Sequence, residues 1–358
     1  MNTNLKRMLP IFAVAAMSAT TTVFAYDNDM QAQKTTHAVP PPVNAHGEDA
    51  LSFFVGAAYT YWAPYEGRTN VAIAEGVTAA EVLSTQTGTI VSPEMNAVSG
   101  FKVGLGANTH HDNWVVGLNY TWFYHAPGMK DSGLSSALTG PTNQLYSVWS
   151  NDAVIWNTVA SQFHMQFNRI DACLDRAFYA GHYLAFRPWI GLLGAWDSQA
   201  LNTNATFASS QSTIPSSATA TQIRMNQKWW GIGPYAGVDC TYYFANEFGL
   251  FLSSGAAMML NNYDVNEGQN YFLTSTSTTS LGSQYNFAKT FNNVAPMMEA
   301  VMGLRWDSFW TEWALRLELG WELQTYFAHN GYNGVVDASG VRGQYSMQGL
   351  TAVARVNF

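Results

Sequence analysis

The ionisable residues that could do chemistry fall into two settings. His110-His111-Asp112 sets two imidazoles beside a carboxylate, a combination able to hold a metal ion or move a proton. It lies in a polar turn where the sequence places no further ligand, so it reads as solvated, and neither a metal nor any other cofactor is expected. The second set is regular. Lys102, Arg187, Arg305, Arg316 and Arg355, with Asp197, Asp239, Glu299, Glu318 and Glu322, each sit inside a run of alternating apolar residues and on its opposite side. No nucleophile and base are placed together by the sequence, and Gly104-Leu105-Gly106 follows a two-residue period rather than a phosphate-binding pattern. The chain therefore reads as something other than an enzyme, with charges that line or fill a space.

The elements that position these charges are strands. From Trp313 to Leu323, Trp313, Leu315, Leu317, Leu319, Trp321 and Leu323 alternate with Arg316, Glu318, Gly320 and Glu322. A helix with this pattern would spread its charges around its whole circumference. The same period recurs at Leu51 to Tyr61, Phe101 to Ala107, Trp114 to Tyr124, Val159 to Phe167, Leu184 to Trp196, Trp230 to Tyr242, Phe248 to Leu252 and Met298 to Trp306. It ends the sequence: Leu350, Ala352, Ala354, Val356 and Phe358 share one face, with Gly349, Thr351, Val353, Arg355 and Asn357 on the other. A flat apolar last strand is an aggregation hazard in water, whereas in lipid it suits the strand that closes a barrel and guides its assembly.

Composition agrees. Of 358 residues only 11% are charged and 14% are aromatic, yet mean hydropathy is −0.07. A soluble domain carries about 25% charged residues, so this composition suits alternation of apolar with small polar residues. The net charge of −8 argues against a nucleic-acid partner. Two cysteines, Cys173 and Cys240, match no zinc motif, and both are expected toward the periplasmic end.

In chain order, residues 1–25 read as a cleaved signal peptide: Lys6 and Arg7, a short apolar run, then Val23-Phe24-Ala25. Residues 26–50 contain Pro40-Pro41-Pro42 and read as a flexible leader, leaving 51–358 for the barrel. Short connections near 109–112, 171–181, 245–246 and 307–310 alternate with long ones near 63–95, 126–151, 201–224, 261–288 and 328–343. Alternation of this kind marks short periplasmic turns and long external loops. The expected fold is an all-β, transmembrane antiparallel up-and-down β-barrel of about 10–12 strands. Further hairpins hidden in the loops, for example near Thr69 to Ala74, would raise that number. Trp114, Trp306, Phe309, Trp310, Trp313 and Tyr242-Tyr243-Phe244 are placed for interfacial girdles.

Three motifs carry a resemblance. Phe186-Arg187-Pro188-Trp189-Ile190-Gly191-Leu192 with Ala195-Trp196, the run from Gly231 to Asp239, and Leu319-Gly320-Trp321-Glu322-Leu323-Gln324 resemble strands of the Legionella major outer membrane protein family and of MOMP-like proteins in Chlamydia-related bacteria. The resemblance covers about 159–358 and implies a pore-forming barrel in the outer membrane of a Gram-negative bacterium. Those chlamydial relatives are cysteine-rich, so two cysteines depart from the pattern.

A charge on the lipid face costs about 2–4 kcal/mol at midplane for Arg or Lys, so parity assigns all ten charges to the lumen. There they either pair into ladders that fill a narrow barrel or line a polar channel. The functional expectation is passive passage of small hydrophilic solutes; the alternative is an adhesin or structural barrel acting through its loops. Expected partners are outer-membrane lipid, the barrel-assembly machinery and the solutes, with homo-oligomerisation left open. If the ten charges line a channel, replacing Arg305 and Arg316 with Glu should leave the fold standing and move selectivity toward cations.

Overall fold

Lipid offers no partner for backbone N–H and C=O groups, so a sheet of spanning strands is stable there only when its first and last strands meet. In the computed structural model they do. It describes residues 51–75, 89–109, 114–129, 144–149, 155–180, 183–207, 215–245, 247–310, 313–332 and 342–358. The expected signal (1–25), the expected leader (26–50) and His110-His111-Asp112 lie outside these described residues.

Ten strands form the wall: β1 (Ser52–Glu66), β2 (Val98–Asn108), β3 (Trp114–His125), β4 (Thr158–Arg176) and β5 (Leu184–Thr206), then β6 (Ala220–Tyr243), β7 (Phe248–Phe272), β8 (Ser280–Phe309), β9 (Ala314–Asn330) and β10 (Gly343–Asn357). Each pairs antiparallel with the next, and β10 closes on β1 from Phe54↔Asn357 to Glu66↔Tyr345. Two reciprocal backbone bonds finish the seam, Phe53 N to Phe358 O at 2.8 Å and Phe358 N to Phe53 O at 2.9 Å. The terminal apolar set Leu350, Ala352, Ala354, Val356 and Phe358 faces outward, as its parity requires.

Chemistry along the strands changes sign part-way. Near the turn end the outward residues are apolar: Ile190, Leu192, Trp230, Ile232, Leu250, Leu252, Met302, Leu304 and Leu319 are all exposed. Farther along the same strands the outward positions become Arg224, Asn226 and Lys228 on β6, and the inward ones Ile223 and Met225. β4 behaves likewise, with Val159, Phe163, Met165 and Phe167 inside and Gln162 and Gln166 outside. A tilted strand crosses a bilayer in about 9–11 residues, but β7 has 25 and β8 has 30. The outer parts therefore stand in water, where apolar residues belong inside.

That inversion corrects several expectations. Strand takes nearly half of the connection expected at 201–224 and most of that expected at 261–288, leaving residues 207–219 and 273–279 between strands. Asp171 to Arg176 continues β4, and Asp307 to Phe309 continues β8. The segment near Thr69 does hold extra strand, Ala72–Glu75, paired with Thr89–Val91 and Gln144–Ser147. Tyr243 and Phe309 turn inward rather than joining a girdle, whereas Trp310 and Trp313 stack at 3.8 Å. Cys173 and Cys240 are both free and near the turn end; Cys173 lines the lumen, and Cys240 holds an outward position.

Two changes test the wall. Deleting Phe358 removes both seam bonds and should leave secretion intact while lowering the heat-modifiable gel form that reports insertion. Leu317→Arg puts a guanidinium on the hydrocarbon face, a cost of about 2–4 kcal/mol, and should also reduce that form. Normal gel behaviour of both variants at low expression would refute the assignment of faces.

Candidate functional site: a charged chamber in the lumen

The inward charges are brought together by parity. Lys102, Arg187, Asp239, Glu299, Arg305, Arg316, Glu318, Glu322 and Arg355 all line one cavity of about 330 Å³ in the turn-end half of the barrel. Arg169, Asp171 and Asp175 of β4 line it too, so cations and carboxylates are equal in number around it. Toward the turn end it continues into a void of about 20 Å³ bounded by Tyr179, Tyr243 and Phe309, the room of about one water.

Within this chamber every charge but Arg355 is paired. Arg305 donates through Nη2 to Asp239 Oδ2 and through Nε to Glu318 Oε1, both at 2.8 Å. Arg316 Nε donates to Asp307 Oδ1 at 2.6 Å, and Tyr243 donates to the other oxygen of Asp307 at 3.1 Å. Arg187 Nε lies 3.3 Å from Asp175 Oδ1. Arg169 holds Asp171 at 3.1 Å and also Glu299, which Tyr235 bonds as well. Lys102 pairs with Glu322, which accepts from Thr351 at 2.7 Å and from Gln324 at 2.6 Å. Breaking one partner out of such a buried pair leaves an uncompensated charge, at about 3–5 kcal/mol. Exchanging Arg305 and Arg316 for Glu would set new carboxylates against Asp239, Asp307 and Glu318, so the expectation that the fold survives that exchange does not hold.

Asp197 is the exception among the ten. It faces inward on β5 but lies outside the chamber, fully buried with Glu66 and His329. Its Oδ2 is 3.1 Å from His329 Nε2 and accepts from Gln199 Nε2 at 2.7 Å, while His329 Nδ1 lies 3.2 Å from Glu66 Oε2. One imidazole thus ties β1, β5 and β9 together. Sequence reading missed it because both Glu66 and His329 fall where loops were expected.

Above the chamber the lumen is filled. Trp62 donates to Thr351 Oγ1 at 3.0 Å and lies under Lys102. It packs on Phe123, and beyond it Phe167, Trp229, Tyr326 and Tyr345 meet edge to face or tilted, at centroid separations of 5.4–6.2 Å. All six rings are buried from every side, each at 2% exposure or less. Gly349, at φ 156°, makes room for Trp62: a Cβ there would stand 2.1 Å from Tyr61 O.

The model of the Legionella pneumophila major outer membrane protein precursor family matches residues 48–358. The chain belongs to that family. It is an outer-membrane β-barrel protein. No curated protein matches it at the significance required. Solved structures that resemble it do so at low identity. The outer membrane protease OmpT of Escherichia coli is 9% identical, with 86% of this chain and 96% of that one covered and a TM-score of 0.42. A mutant of the monoaromatic hydrocarbon channel TodX is 8% identical over 87% and 91%, with a TM-score of 0.28. A FadL homologue of Pseudomonas aeruginosa is 8% identical over 87% and 90%, with a TM-score of 0.25.

Arg305→Ala strands Asp239 and Glu318 and should lower the unfolding free energy of the refolded barrel by about 3–5 kcal/mol. Arg224→Ala, on the exposed outer face of β6, should change it by about 0.5 kcal/mol or less. Urea titration followed by tryptophan fluorescence measures both, and equal effects would refute the paired arrangement.

Proposed function

We propose that this protein is a porin-like barrel giving small hydrophilic solutes a narrow, weakly charge-selective passage, closed in the conformation described by the aromatic layer. The observation that carries this reading is the chamber: about 330 Å³ of space lined by charges of both signs in balance, at the level where the outer wall is apolar. A barrel serving only as a scaffold gains nothing from keeping that volume polar, since well-packed apolar residues are as stabilising as buried ion pairs or more so. Balanced signs favour neither cations nor anions strongly. In this reading residues 1–25 direct export and are removed, the barrel-assembly machinery inserts the chain with β10 as its signal, and no reaction is catalysed.

One observation favours a second reading. Among the described residues, Ser280 to Pro296 of β8 pairs only with β7, which β6 accompanies to its outer end at Ala220↔Phe272, so this stretch of β8 is an open strand edge. An open strand edge outside the bilayer suits a surface contact with a host or envelope partner.

Planar-bilayer recording of the refolded protein tests the choice. The wild type should give small openings with little preference between K⁺ and Cl⁻. Phe167→Ala with Tyr326→Ala, which opens the aromatic layer, should raise the conductance several-fold. Silence from both proteins, together with specific binding that is lost on shortening the β7–β8 hairpin, would favour the surface role.

A further inference from the structure

Arg355 stands apart from the other cations of the chamber. It lies directly opposite Arg316 in the β9–β10 register, with both side chains inward. Like charges directly opposite on adjacent strands repel. Arg316 is compensated by Asp307 at 2.6 Å and approached by Glu318 at 3.9 Å. Across the other seam Arg355 faces Gly56, which offers no side chain at all. Arg187, its other cationic neighbour, is matched with Asp175. Arg355 itself has no carboxylate within ion-pairing distance among the described residues. Its Nε donates to the neutral Asn357 Oδ1 at 3.2 Å, its guanidinium carbon lies 3.5 Å from the centre of the Phe54 ring, and its enclosed Nη2 has no acceptor.

These features describe a cation built in without its counter-charge. Three arginines, Arg187, Arg316 and Arg355, interact electrostatically at the turn-end side of the chamber. The carboxylates there are committed: Asp239 to Arg305, Asp307 to Arg316, Asp175 to Arg187, and Glu318 to Arg305 with Arg316 beside it. The ring of Phe54 supports the face of the Arg355 guanidinium, and Arg355 borders the chamber. A planar guanidinium edge matches a carboxylate in geometry as well as in charge.

We propose that Arg355 is the anchor of an anion site in the lumen, and that its ligand is a small monocarboxylate the size of formate or acetate. The ligand supplies the acceptor that Nη2 lacks and relieves the repulsion across the β9–β10 pair. The chamber has the volume for it, and the surrounding arginines add long-range attraction. The site stands on these contacts whether or not the barrel conducts.

The test is thermal unfolding of the full, refolded barrel in detergent, at constant pH and ionic strength, in sodium formate, acetate, chloride or gluconate. Wild type should unfold several degrees higher in formate and acetate than in chloride or in gluconate, which is too large for the site. Arg355→Met should lose the difference among anions. Arg355→Lys keeps the charge but loses the planar edge, so it should need roughly tenfold more formate for the same shift. It also provides the comparison if the Met variant does not refold. Equal stabilisation by chloride would overturn the carboxylate assignment and leave a simple halide counterion. An anion preference that persists in both variants, or none in wild type, would overturn the site.

Discussion

Each strand of this barrel must satisfy two solvents and one neutrality condition at once. In the bilayer the wall can only be apolar outside, so polar and charged residues are driven into a lumen with little water. There the only agents that can neutralise them are one another. The ladder from Asp239 through Arg305 and Glu318 to Arg316 and Asp307 follows from that requirement. So does the cluster of Arg169 with Asp171 and Glu299. Closure of β10 on β1 is the backbone version of the same condition, since no hydrogen-bonding group is left facing hydrocarbon.

The two halves of the lumen are then different materials. The turn-end half is polar, and its geometry is set by ion pairs that depend on one another, so changing one member disturbs several. The outer half, from Trp62 to Tyr345, is packed as a water-soluble protein packs its centre, with rings and methionines such as Met165, Met225 and Met347 filling the space. Opening a route through the barrel is therefore a packing problem in the outer half and an electrostatic one in the inner half.

Trp313 to Leu323 was legible in the sequence because lipid outside and charge inside give every residue of a spanning strand an unambiguous side. Parity puts the ten charges on the inward side of their strands; nine of them line the chamber and Asp197 lies outside it. What escaped were residues whose strand was thought to have ended. Arg169, Asp171 and Asp175 keep the two-residue period, but Asp171 and Asp175 fall where a connection at 171–181 is expected and Arg169 falls just before it. Above the bilayer the contrast fades: Asn262, Asp264 and Asn266 alternate with Tyr263, Val265 and Glu267, and both sets contain polar residues. Such segments look like loops although their pairing is continuous. The Glu66–His329–Asp197 contact is hidden twice over, because Glu66 and His329 fall where connections are expected and because it joins residues far apart in sequence.

The change of sign along β4 and β6 has a consequence for assembly. In a barrel of uniform polarity, a one-residue slip is penalised only where the hydrocarbon detects it. Here the same slip would expose Ile223 and Met225 to water while turning Trp230 and Ile232 into the charged chamber. Register is thus checked twice along one strand, by two solvents that object to opposite errors. A misaligned hairpin meets a penalty at each end and has no compensating position to settle into.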